Sequence, residues 1–417
     1  MKKIFRFAML FMATLMIGVS LSSCSDSDDN NGGSSSDVYK DPTYGQAAIS
    51  SCDELVSALN AAYRQIGTRT LTTEQENELK AVLENNVDNV IVPTYTNLAD
   101  AVVKLQAALG DLSASQITQS DVDKACAAFK EARAEWEKSE AFLLGPADGF
   151  DVDPHIDSWP LSRAALLSYF ANPSEIQDES ILGFHALEFI LFRDGKNRKA
   201  SDFSSNDTYK GFESISGAQE LEYAEEVAKD LLVHTYQLQV AWDPSNASRL
   251  QAVKAADLDY QTAKNNSFGA NMKNAGNTSI STFATIKDAV QELLTQDKGC
   301  VGICNEVGGS KIANPFSKGD ISYVESPYSY NSIKDFQDNI RSVQNIWYGN
   351  TNNGATNTSN SFHAFFTKYY PAQAQQVETA INNAIKNIGN MPSPFVKYVS
   401  VLWNKVFEDE VYEEEEE

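Results

Sequence analysis

The stretch 183–192, GFHALEFILF, carries no polar side chain apart from His185 and Glu188. Ten residues of this kind without period-two alternation favour a helix, and a helix that is apolar nearly all round has to be covered on every side. A fold that can cover it needs several further helices around it. His185 and Glu188 stand at i and i+3, so their side chains meet on one face. Two ionisable groups in a low-dielectric interior are costly unless something satisfies them.

The rest of the chain supplies the cover. Apolar residues recur at helical spacing over 47–66, 72–109, 120–144, 161–170, 179–192 and 217–242. Thr72-Thr73-Glu74-Gln75 looks like a helix cap, and Pro93 predicts a kink or break inside 72–109. Further helices are expected over 281–294, 332–348, 362–387 and 394–407, with an irregular segment over 308–330. At 417 residues the chain exceeds what one hydrophobic core usually supports. The expected fold class is all-α: two helical bundles packed together with a site at their interface. Residues 45–243 form the N-terminal bundle with the His-x-x-Glu pair, and 244–407 the C-terminal bundle.

The ends differ in character. Lys2, Lys3 and Arg6 precede an apolar run over 7–19, the pattern of an export signal. It ends in Leu21-Ser22-Ser23-Cys24, which resembles a bacterial lipobox, so 1–23 reads as a lipoprotein signal peptide and Cys24 as the lipidated residue. Residues 24–44 read as an acidic, flexible leash. Its Asp26, Asp28 and Asp29 resemble the signal that sends some Bacteroidetes lipoproteins to the cell surface. The expected location is therefore the outer membrane, with the membrane as a partner through the anchor and exposure at the cell surface. The acidic tail 408–417 is expected to stay solvated. A formal charge of −24 argues against nucleic acid as a partner. Export would allow Cys52, Cys126, Cys300 and Cys304 to oxidise, with Cys300 and Cys304 close enough for a local bridge.

Several catalytic patterns are excluded. There is no Gly-x-Ser-x-Gly elbow, and Gly308-Gly309-Ser310-Lys311 lacks what a phosphate loop requires. The run 151–157 begins like a calcium loop but has Ile156 where the turn needs glycine. His185 and Glu188 remain. An imidazole and a carboxylate on adjacent turns can give two ligands to a divalent metal. They can equally form a structural hydrogen-bonded pair, which spacing alone favours.

Gly183-Phe184-His185-Ala186-Leu187-Glu188 resembles the Gly-x-His-x-x-Glu signature of the imelysin family, a group labelled as peptidases. Trp136 to Pro146 resembles that family's helix end, and Asp153-Pro154 with Ile156-Asp157-Ser158-Trp159-Pro160 the loop that follows. Glu325-Ser326-Pro327-Tyr328-Ser329, Asp335 to Ile340 and Tyr348-Gly349 resemble its second-half motifs. The resemblance runs from about Ala47 to Phe407. It implies an all-helical envelope protein linked to iron uptake, with envelope iron-uptake components as partners. It also implies a site built around His185 and Glu188 as metal ligands, with Glu140 as the third ligand or partner. Gly183, Asp157, Trp159, Glu325, Tyr328 and Ser329 would line that site, although core packing accounts for Trp159 and Tyr328 as well. The cofactor expected is a divalent metal, with iron, zinc and copper all open. A metallopeptidase and a non-catalytic interaction protein with a structural His–Glu pair are the alternatives.

Overall fold

Sequence signals set where the helices begin. Thr72 and Gln75 form a reciprocal capping box, as do Thr118 with Asp121 and Ser216 with Gln219. In the computed structural model, which describes residues 38–407 apart from 175 and 353–358, the ten principal helices are as follows. They are α1 Thr43–Gly67, α2 Thr73–Asn86, α3 Val92–Gly110, α4 Gln119–Glu137 and α5 Gly183–Leu191. They continue as α6 Gly217–Trp242, α7 Ile286–Thr295, α8 Cys300–Glu306, α9 Ser332–Tyr348 and α10 Pro371–Gly389. The strand content described is one antiparallel pair, Phe192–Arg193 with Lys196–Asn197. The signal peptide, Cys24, most of the leash and the acidic tail lie outside the described residues. Among the described residues, no helix is long and apolar enough to cross a membrane.

Helices α3, α4, α5 and α6 pack on one another, and α1 packs with α7, α8 and α10. Chain order and spatial grouping therefore differ, because the first long helix joins the C-terminal helices. Helix α9 bridges the groups: it packs on α10 and α8, and also on α4 and the short turn Glu140–Phe142. Buried bonds tie that junction: the Ala141 amide donates to Ser342 Oγ (2.9 Å), and the Asn339 side-chain amide donates to the Glu137 carboxylate.

Two local expectations change. Pro93 does not break its helix. A five-residue π turn, Val87–Ile91, precedes it and places Pro93 in the first turn of α3, where a missing N–H is tolerated. The segment 308–330 is also more helical than its glycines suggest, with a π turn over Val307–Ile312 and a helix over Ala313–Lys318. Here Gly308 permits close approach rather than a break. A Cβ on it would lie 2.8 Å from the Cβ of Cys52 in α1.

Cys52, Cys126, Cys300 and Cys304, which export would allow to pair, are free and buried. Burial, with Asp53 adding, pushes the Cys52 thiol up to about 12, which leaves it inert.

Candidate functional site

Gly183 sets the site's geometry. Its φ of 77° lies in the left-handed region, and a Cβ would sit 2.3 Å from the carbonyl oxygen of Ile156. The start of α5 is thereby pressed against the short helix Asp153–Asp157. Replacing Gly183 with Ala is expected to cost at least ~1–3 kcal/mol from backbone strain. The measurement is the urea midpoint; an unchanged midpoint would remove this account of the glycine.

That contact brings His185 onto Asp157, with Nε2 3.1 Å from Oδ1. The Trp136 indole N–H donates to the other oxygen of Asp157 at 2.7 Å, and the Trp159 ring lies 4.2 Å from the imidazole. Arg133 of α4 enters beside them. Its guanidinium bonds Asp157, lies 2.5 Å from Glu137, donates to Glu325 at 2.6 Å and stands 3.4 Å from His185 Nε2. Asp335 of α9 approaches its Nε at 3.9 Å.

Glu188 faces a different element. One carboxylate oxygen accepts from the Tyr328 amide (3.1 Å), the Ser329 amide (2.7 Å) and the Ser329 hydroxyl (2.7 Å). It thereby latches a turn in which Ser326 and Tyr330 both adopt positive φ. The same turn carries Glu325, whose carboxylate also accepts from Lys311 at 3.2 Å. Lys311 reaches Glu140 and Glu306 at 3.8 and 3.9 Å.

Five buried carboxyls, Glu137, Glu140, Glu188, Glu325 and Asp335, and the partly buried Asp157 thus share three cationic groups, Arg133, Lys311 and His185. The imbalance shows in their ionisation. Burial and the Arg133 charge oppose protonation of His185, but Asp157 and Glu188 outweigh them and raise its pKa. Although burial disfavours the charge on Asp157, Arg133 and His185 hold it well below the usual carboxylate range. Elsewhere burial wins. It lifts Asp335 to about 7 and Asp153, with Asp157 adding, to about 6. Burial also raises Glu137 and Glu140 well above the ordinary value.

A cavity of about 140 Å³ opens on this network, lined by Glu140, Asp153, Asp157, Glu306, Glu325 and Lys311, with Trp159 at its wall. The second oxygen of Glu325 and the indole N–H of Trp159 are buried and have no hydrogen-bond partner.

The structure therefore brings His185, Glu188, Gly183, Asp157, Trp159, Glu325, Tyr328 and Ser329 together. Glu140 lies across Lys311, grouped with Glu137 and Asp157. As a ligand pair, His185 Nδ1 and Glu188 Oε2 stand 3.7 Å apart, but no third His, Cys, Asp or Glu among the described residues completes a set with them. On the other face of His185, with Asp157 and Glu325, the Arg133 guanidinium fills the space between. The donors that line the cavity are carboxyls, and they outnumber Lys298 and Lys311 there, a balance that fits a cation. Sequence reasoning missed Arg133, Glu137, Lys311 and Asp335. Arg133 and Glu137 did leave a signal, as charges on the face of α4 that otherwise carries Val122, Ala125, Phe129, Ala132 and Trp136.

The family model described as imelysin (peptidase M75) matches residues 91–411. The iron-regulated protein A of Synechococcus elongatus is 27% identical over 327 residues, 78% of each chain. A solved iron-regulated protein A precursor from Parabacteroides distasonis has the same fold, with a TM-score of 0.59 and 24% identity, over 81% of this chain and 96% of that one.

Proposed function

The chain belongs to the imelysin family, and we propose that it is an envelope lipoprotein that binds a metal ion, iron or similar, in the acidic cavity. The observation that carries this is the excess of carboxyls over lysines around the cavity, among them Glu325, one oxygen of which is buried without a hydrogen-bond partner. All-oxygen donors suit a hard cation. Glu140 and Asp157, whose ligand atoms lie within 4.8 Å of each other, would hold it from one side, and Glu306 and Glu325 from the other. Lys311 orients Glu140 and Glu325, and His185 with Arg133 keeps Asp157 ionised. In this reading His185 and Glu188 are positioning residues. The Synechococcus relative is named for regulation by iron, which favours iron as the cation, and the chain would serve envelope iron-uptake components while anchored to the outer membrane through Cys24.

A metal-bearing organic ligand is the second reading. An apolar cavity of about 630 Å³, lined by Trp159, Leu161, Leu167, Phe212 and Tyr328, adjoins the acidic one across Trp159 and would take the organic part. Peptidase chemistry is less well supported. Water activation needs an open metal position and a free base. Here His185 is held by Asp157 and one Glu188 oxygen by the 328–329 amides. The other Glu188 oxygen, although unpartnered, faces His185 Nδ1 at 3.7 Å, with no third ligand among the described residues completing a set.

Titration calorimetry with ferrous ion under argon, and with manganese, tests the proposal. The intact chain is expected to bind one ion. The pair Glu140→Gln with Glu306→Gln is expected to weaken binding at least about tenfold, the loss of ~1.4 kcal/mol. Unchanged affinity in that double variant would sink the cavity reading.

A further inference from the structure

His155 lies between Asp153 and Asp157 on the short helix that lines the cavity, but it faces away from them toward α6. There its Nδ1 stands 3.0 Å from Oδ2 of Asp230. His234, one turn along α6, has Nδ1 3.0 Å from the backbone carbonyl of Asp230 and 3.4 Å from the other carboxylate oxygen of Asp230. The two imidazole rings stack at 3.7 Å with an 18° interplanar angle. His155, Asp230 and His234 each offer a ligand atom, all within 4.8 Å of one another, and a carboxylate oxygen of Glu179 lies 3.9 Å from His155 Nε2. His155 and Asp230 are about one-quarter exposed, so an ion can reach them from solvent.

We propose that His155, Asp230 and His234 form a second metal site, for a late first-row divalent ion such as zinc, which clamps the cavity helix Asp153–Asp157 onto α6. Two imidazoles and a carboxylate are borderline-soft donors that favour zinc, cobalt, nickel or copper over hard cations. The acidic cavity, with its oxygen donors, has the opposite preference. An ion held by these three side chains would link the two elements directly. Because Asp153 and Asp157 flank His155, the clamp fixes one wall of the cavity. The clamp itself does not depend on what the cavity binds.

Cobalt and zinc are the probes. The full chain is expected to bind one Co²⁺ with visible absorption bands of nitrogen–oxygen coordination, and Zn²⁺ is expected to displace it. His155→Ala and His234→Ala should each weaken cobalt binding at least tenfold. If either variant folds poorly by circular dichroism, His234→Gln takes its place in the comparison. The cavity pair Glu140→Gln with Glu306→Gln should leave the cobalt spectrum unchanged. Absence of a cobalt spectrum in the intact chain, or a spectrum of wild-type strength in both histidine variants, overturns the proposal. Loss of ferrous binding in the cavity pair with cobalt retained supports both sites separately. Unchanged ferrous binding there removes the cavity reading and leaves the histidine site standing.

Discussion

Replacing Arg133 with Met is expected to destabilise the protein by about 3–5 kcal/mol at neutral pH, the usual cost of removing one partner from a buried ion cluster. Arg133 is 1% exposed and faces Glu137, Asp157, Glu325 and Asp335 together. Methionine fills much of the volume but leaves those carboxyls against one another. The penalty should depend on pH in a definite direction. In the intact protein the folded pKa of Asp157 is depressed, so its stabilising contribution is present at neutral pH and disappears as pH falls through that low value. Without the guanidinium that depression weakens, leaving His185 and Lys311 to oppose burial. Asp335 and Glu137, whose folded pKa values are already raised, lose their chief counter-charge, and groups of that kind lose stability as pH rises through them. The difference between variant and intact protein should therefore be larger at pH 8 than at pH 5. Urea denaturation at the two values reads it directly. A penalty under 1 kcal/mol at pH 8, or one that grows toward pH 5, would show that Arg133 does not balance this cluster. Arg133→Lys should fall between, because an ammonium cannot serve several carboxylates through a planar fork.

Such a residue shows what sequence periodicity can and cannot reveal. Long apolar stripes made the helical class legible, and 217–242 and 332–348 coincide with α6 and α9. Proline and glycine misled where they acted through packing: Pro93 sits after a π turn, and Gly308 makes room for Cys52. The apolar segment around His185 was legible because a polar pair stood out against it. Arg133 and Asp335 lie on amphipathic helices, where a charge usually faces solvent; Arg133 stands on the apolar face of α4, but that placement alone names no partner. Their roles depend in part on contacts between distant residues, such as Arg133 with Glu325, 192 positions apart. Spacing within one helix cannot report a partner of that kind. Spacing did report that His185 and Glu188 share a face. It could not tell that each would turn to a different element, His185 to the short helix with Asp157 and Glu188 to the Tyr328–Ser329 turn.

That division of labour makes Glu188 the sharpest test of the motif. Removing its carboxylate by Glu188→Ala leaves two buried amides and a hydroxyl without their acceptor, and each such donor costs about 1–3 kcal/mol. The turn they belong to already holds Ser326 and Tyr330 at positive φ, so it has little reason to keep its shape unlatched. A loss of about 3 kcal/mol or more is expected, with faster hydrogen exchange at the Tyr328 and Ser329 amides. Because the same turn carries Glu325 into the cavity, cation affinity should fall as well, although Glu188 itself does not line that space. Glu188→Gln separates latch from ligand. An amide oxygen still accepts from the two backbone amides, so the turn, the exchange protection and the cation affinity should largely survive. A metal ligand would behave otherwise, since a neutral amide is a far poorer donor to an ion than a carboxylate. If Glu188→Gln abolishes cation binding while Tyr328 and Ser329 stay protected, Glu188 is a ligand and the cavity carboxylates are not the primary site. Retained binding in Glu188→Gln together with its loss in Glu188→Ala assigns the motif glutamate to holding the turn that aims Glu325.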